Sequence, residues 1–151
     1  NRTMSIEFTQ GEYRISENKA ELDHSAIHAY LTQSYWSPGI PLATVSRAIQ
    51  HSLCFGLYQQ GAQVGFARVV SDFATFGYLC DVYVLEAHRG HGLGKWLMQC
   101  LQQHPQLQGL RRFMLATRDA HGLYQQFGFT ELANPGRLME IVVPDIYQRK
   151  Q

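Results

Sequence analysis

Between Phe76 and Leu101 the apolar residues change their period once, and that change constrains the fold more than any other feature of the chain. Phe76 to Val84 is apolar almost throughout, with Asp81 its only charge. Such a run reads as a strand covered on both faces. From Leu93 the apolar positions become Leu93, Trp96, Leu97, Cys100 and Leu101. That spacing is i, i+3, i+4, i+7 and i+8, the stripe of an amphipathic helix. The helix is expected to start near Gly92 and to end before Pro105. Arg89-Gly90-His91-Gly92-Leu93-Gly94 joins the two elements. A helix N-terminus presents unpaired amides and a partial positive charge, and glycines let an anion approach the backbone closely. Arg89 adds a permanent cation at the mouth. The segment therefore reads as a phosphate-holding turn, against the alternative of a tight strand-to-helix turn without a ligand.

Two familiar phosphate loops fail the spacing. A dinucleotide fingerprint needs G-x-G-x-x-G, and the third position after Gly90 and Gly92 is Lys95. A P-loop needs a glycine where Arg89 stands and a Ser or Thr where Trp96 stands. A nucleotide-binding domain is accordingly disfavoured.

The flanking sequence predicts a mixed α/β chain. Tyr13 to Ile15 reads as an edge strand. Asp23 is a candidate N-cap for a helix with Ile27, Tyr30, Leu31 and Ser34 on one face. Tyr35-Trp36-Ser37-Pro38-Gly39-Ile40-Pro41 interrupts it, and Leu42, Val45 and Ile49 mark a second helix. Leu53–Tyr58 and Val64–Val70 flank Gln59-Gln60-Gly61-Ala62 as an antiparallel hairpin. Phe113 to Ala116 is a strand. Asp119 caps a short helix carrying Ala120, Leu123, Tyr124 and Phe127, closed by Gly128. Two last strands are expected near Phe129–Leu132 and Leu138–Val143.

At 151 residues the chain suits one domain, read as residues 4–151. Asn1-Arg2-Thr3 precede Met4, which reads as the natural start, and those three read as a vector remnant. A formal net charge of +1 argues against nucleic acid as a partner. Cys54, Cys80 and Cys100 lie in apolar surroundings and read as reduced core residues of a cytoplasmic protein. No secretory signal and no span long enough for a membrane is visible. The seven histidines form no ligand set with Cys or carboxylates at metal-binding spacing, so no metal is expected.

The glycine turn reads Arg89-x-x-Gly92-x-Gly94, and further on stands Leu123-Tyr124-Gln125-Gln126-Phe127-Gly128-Phe129. The first resembles the acyl-CoA loop of the Gcn5-related N-acetyltransferases (GNAT), Arg/Gln-x-x-Gly-x-Gly/Ala. The second resembles that superfamily's Leu-Tyr-x-x-x-Gly-Phe. The order of elements is similar over nearly the whole chain. The resemblance implies a mostly antiparallel central sheet with helices on both faces and a splayed parallel strand pair that holds acetyl-CoA. It implies backbone contacts from Val82, Tyr83 and Val84 to the pantetheine arm, and amides from Gly90, His91, Gly92, Leu93, Gly94 and Lys95 to the pyrophosphate. Thr117 falls where relatives often carry an asparagine that touches the pantetheine.

The implied activity is N-acetyl transfer by direct attack of an amine in a ternary complex, the acceptor being a small molecule or a peptide amine. A non-catalytic acyl-CoA-binding regulatory module is the alternative. Tyr124 matches the family's usual general acid, against the alternative of a core tyrosine with a satisfied hydroxyl. Asp81 has two readings, a base acting through water or a structural partner of Arg68. His91 could line the phosphates and His121 could serve as base, with nothing singling it out. Tyr35, Trp36, Phe73 and Tyr78 are candidates for the acceptor side, whereas Phe76 reads as core. Dimers are frequent in the superfamily, so a homodimer is compatible with the resemblance.

Overall fold

The computed structural model describes residues 5–149; the reading of residues 1–4 as remnant and start lies outside them. Strands β1 (Glu7–Gln10) and β2 (Tyr13–Ser16) precede helices α1 (His24–Leu31) and α2 (Leu42–Gln50). Strands β3 (Leu53–Gln59), β4 (Ala62–Ser71) and β5 (Phe76–Val84) follow. Helix α3 (Leu93–Gln102), strand β6 (Arg112–Leu115) and helix α4 (His121–Gln125) complete the regular elements. The six strands lie in one sheet in chain order, β1 to β6. Neighbours from β1 to β5 are antiparallel, and β5 and β6 are parallel. A parallel pair needs a crossover, which α3 supplies.

Alternation along the strands sends side chains into two cores. Leu53, Phe55 and Leu57 join the α3 stripe of Leu93, Trp96, Leu97, Cys100 and Leu101 on one face. Cys54 and Phe66 join Ile27, Leu31, Val45 and Ile49 of α1 and α2 on the other. The helices therefore cover both faces, as a sheet apolar on both sides requires. The Asp23 carboxylate caps α1 by accepting from the Ala26 N–H at 2.9 Å, worth about 1 kcal/mol. Gln60 and Gly61, with φ of 51° and 89°, make the tight turn of the β3–β4 hairpin.

Four expectations are corrected. Tyr13 to Ile15 is not at the sheet edge, because β1 pairs outside it through the turn Gly11-Glu12. Leu42 is exposed at the start of α2, since Pro41 sets the helix entry and only Val45 and Ile49 point inward. Asp119 does not cap α4; Ala120 occupies that position, and its N–H donates to the Thr117 hydroxyl at 3.0 Å. Residues 129–132 and 138–143 form no strand: they run beside the free edge of β6 without pairing to it, and from Thr130 onward lie exposed along the surface.

Candidate acyl-transfer site

A bulge in β5 opens the site. Cys80 pairs with Arg68 and Tyr83 with Phe66, so Asp81 and Val82 together oppose Ala67 alone. Asp81 takes φ 56°, a left-handed conformation that short polar side chains tolerate best. The bulge turns the strand. On the other side, β5 pairs with β6 only from Phe76–Arg112 to Leu79–Leu115. Beyond Leu79 the two strands part, leaving Cys80 to Val84 beside a gap.

Both Asp81 oxygens are engaged. Arg68 Nε donates to Oδ2 at 2.8 Å, and Trp36 Nε1 donates to Oδ1 at 2.8 Å. The ion pair is largely buried, with side-chain exposures of 19% and 10%. Arg68 also donates to Ser52 Oγ at 3.0 Å. The expected Arg68 partnership is thus present, and it carries Trp36 with it. The Arg118 guanidinium stacks over the Tyr35 ring at 3.8 Å, and the Arg118 backbone N–H donates to the Tyr35 hydroxyl at 3.3 Å. The loop between α1 and α2 is therefore tied down on both sides of the gap.

A cleft of about 320 Å³ occupies the parting of the strands, between Tyr35 and Trp36, the β5 segment Tyr78 to Val82, and Thr117, Arg118 and Tyr124. Tyr124 is buried on α4, edge-on to Phe129 at 5.9 Å. Burial, aided by nearby Tyr35, raises its phenol above the ordinary value, so it keeps its proton at neutral and mildly alkaline pH. Cys80 lies in the same wall. Burial pushes it up to about 12, pushes Cys54 up to about 12 and pushes Cys100 up to about 11. At pH 8 on the order of one Cys80 thiol in ten thousand is then a thiolate. The native protein is expected to take up less than one equivalent of an aromatic disulfide reagent in an hour, against three once unfolded in guanidinium. Rapid labelling of the native chain would contradict this.

A second cleft of about 300 Å³ lies at the head of α3, lined by Val84, His88, Arg89, Gly90, Gly92, Leu93, Gly94, Lys95 and Leu123. Among the described residues, none of the amides from Gly90 to Lys95 donates to a protein group. Gly92 caps the helix at φ 75° without a side-chain bond. Arg89 is held by its own bonds, donating to the Val84 carbonyl at 2.9 Å and to the Tyr30 hydroxyl at 3.2 Å. Gly94 has no positive φ, and a methyl group built there would meet nothing within 4 Å. Neither backbone strain nor packing asks for glycine at this position.

The fold gathers most of the predicted residues. Val82, Thr117, Tyr124, Asp81, Tyr35, Trp36 and Tyr78 border the first cleft, and Val84, Arg89, Gly90, Gly92, Leu93, Gly94 and Lys95 the second. Tyr83 brings only its backbone, its ring being stacked on Tyr30 at 3.9 Å in the helical core. His91 lines neither cleft. Phe73 stands apart, at the tip of the β4–β5 turn with φ 62°. That turn is fixed by Asp72, which accepts from the Thr75 hydroxyl and from the amides of Thr75, Ala74 and Phe76; these bonds hold its carboxyl well below the usual range. His121 borders neither cleft, and the ring of His88 is bonded to the Tyr13 hydroxyl at 3.0 Å. Sequence reasoning did not find Arg118 or Tyr30, whose roles depend on contacts 83 and 59 residues away in the chain. Among the described residues no group of His, Cys, Asp and Glu is placed to hold a metal, and no helix is long and apolar enough to cross a membrane.

Residues 13–129 match the model of the Acetyltransferase (GNAT) family. The chain is similar to a crystal structure of an acetyltransferase of the GNAT family from Xanthomonas campestris pv. campestris. Identity is 54%, the TM-score is 0.89, and 91% of this chain and 97% of that one are covered. It is also 36% identical to a protein of Gibberella zeae that carries an acetyltransferase name, over 82% of each. An acetyltransferase from Clostridium acetobutylicum, crystallised with acetyl-CoA, shares the fold at a TM-score of 0.62 and 15% identity, with 86% of this chain and 94% of that one covered.

Proposed function

The chain belongs to the GNAT acetyltransferase family, and from that premise we propose that it moves an acetyl group from acetyl-CoA to an amine nitrogen in a ternary complex. The observation that carries the reading is Gly94, a glycine that the protein itself does not need, at the head of a helix whose first amides are free. Those amides suit a pyrophosphate, with Lys95 beside them and the helix dipole behind. The free edge of Cys80 to Val84 suits a pantetheine arm, which lies along it as an added strand would. This route leads from the α3 head to the cleft that holds Tyr124.

In that cleft a neutral amine attacks the thioester carbonyl, the carbon–sulfur bond breaks, and the amine's proton leaves to solvent through the cleft mouth. Tyr124 gives its proton to the departing sulfur and recovers one from solvent. Asp81 is read as a positioning residue, since each of its oxygens already holds a donor. It fixes Trp36, and with Tyr35 and Tyr78 that indole walls the acceptor side. The acceptor is a small-molecule or peptide amine.

The test is calorimetry with coenzyme A together with thiol release from acetyl-CoA across an amine library. Binding and amine-dependent release are expected. Gly94→Ala is expected to weaken coenzyme A affinity on the order of tenfold, the loss of about one hydrogen bond to a charged group. Its folding stability should not fall, because alanine suits a helix better. Unaltered affinity in Gly94→Ala would remove the pyrophosphate from this turn. Binding without release to any amine would leave the regulatory-module reading.

A further inference from the structure

Each oxygen of Asp81 already holds a donor, and Arg68 balances its charge. The other charges bordering the acyl-transfer cleft are Arg118 and Asp119 at its lip. These two differ in how they are held. Asp119 is 70% exposed, accepts no hydrogen bond among the described residues and reaches Arg118 Nη2 only at 3.7 Å. So exposed a pair is screened by water and contributes little.

Arg118 is positioned twice by one partner. Its backbone N–H donates to the Tyr35 hydroxyl at 3.3 Å, and its guanidinium lies 3.8 Å above the centre of the same ring. Stacking uses a flat face of the guanidinium and leaves its edge, where the N–H groups point, uncommitted. Among the described residues those N–H groups donate to no acceptor. A guanidinium edge matches a carboxylate, two N–H groups to two oxygens. Because the stack already restricts the side chain, less freedom is lost when an anion arrives. Between this lip and Tyr124 stand Tyr35, Trp36 and Tyr78, the first two edge-on at 5.0 Å.

We propose that Arg118 sets the acceptor class by receiving its carboxylate, so that the acetylated amine belongs to a small amino acid. The amine points toward Tyr124, the carboxylate meets Arg118, and the apolar part rests on Tyr35, Trp36 and Tyr78. The inference rests on the acetyl-transfer reading and names the acceptor within it. One guanidinium balances one carboxylate, whereas a phosphate monoester carries about −1.5 to −2 and would set its excess charge beside Asp119. A diamine would bring its second cation against Arg118.

The test follows thiol release from acetyl-CoA with glycine, γ-aminobutyrate, phenylalanine and tyrosine, each beside its own primary amide, and with putrescine as the diamine. At least one acid is expected to exceed its amide in kcat/KM on the order of tenfold. In Arg118→Ala that acid-to-amide ratio is expected to fall by about the same factor, chiefly through KM. The ratio isolates carboxylate recognition, because a loosened Tyr35 loop would slow both members of a pair alike. Arg118→Lys keeps the charge without the fork, and its ratio should fall between the two. Amides or putrescine serving as well as every acid, or a ratio unmoved in both variants, overturns the proposal and leaves acetyl transfer standing. Weaker coenzyme A binding in Arg118→Ala with the ratio unmoved places the guanidinium on the cofactor and overturns it too. No coenzyme A binding by calorimetry and no release with any amine is the separate failure of the acetyl-transfer reading, and the acceptor assignment falls with it.

Discussion

Tyr124→Phe is expected to lower turnover about a hundredfold while leaving the affinity for coenzyme A within about twofold of the parent. General acids contribute roughly 10²–10⁴ in rate, and the smaller figure applies here because a thiolate is already a tolerable leaving group. The binding half of the forecast rests on geometry, since the amides at the head of α3 and the free β5 edge do not involve the phenol. Phenylalanine keeps the edge-on contact with Phe129 and removes only a buried hydroxyl, so the fold should be unaffected. The wild-type rate should also hold on the alkaline side, because burial keeps the proton on Tyr124 above its ordinary range. Single-turnover kinetics with saturating amine measures the effect. A variant as fast as the parent would take Tyr124 out of the mechanism.

Arg68→Ala is expected to cost about 3 kcal/mol of folding stability. The pair with Asp81 is shielded on both sides, and removing the cation leaves a carboxylate with Trp36 as its one remaining donor. Burying an unpaired charge costs more than the pair contributed. A domain this size has only about 5–15 kcal/mol to lose, so the urea midpoint should move plainly. Asp81→Ala combined with Arg68→Ala should cost less than the two single changes added, because the stranded carboxylate is then gone. A loss below about 1 kcal/mol for Arg68→Ala would mean that water reaches the pair and screens it.

The sheet, the helices and both clefts were legible to the extent that local pattern carries them. The α3 stripe is buried at all five positions predicted for it. The strand-to-helix turn is where the apolar period changes, and the Arg68–Asp81 pair follows from one charge inside an apolar run. What escaped depends on long-range geometry. Strand β1 has only Phe8 as an apolar residue between Glu7 and Gln10, too little for a period. Phe73 looked like an acceptor-side aromatic, but the Asp72 turn carries it away, and bonds to three consecutive amides leave no local signature beyond the aspartate. The run at 138–143 has the composition of a strand and pairs with none, because composition sets what a segment can pair with and not whether its backbone comes into register with an edge.

The bulge at Asp81 has a consequence for recognition. The parting of β5 from β6 is written into main-chain pairing, so the slot is paid for during folding and stands preorganised. A guest that enters it meets walls already in place, and little conformational selection discounts its intrinsic affinity.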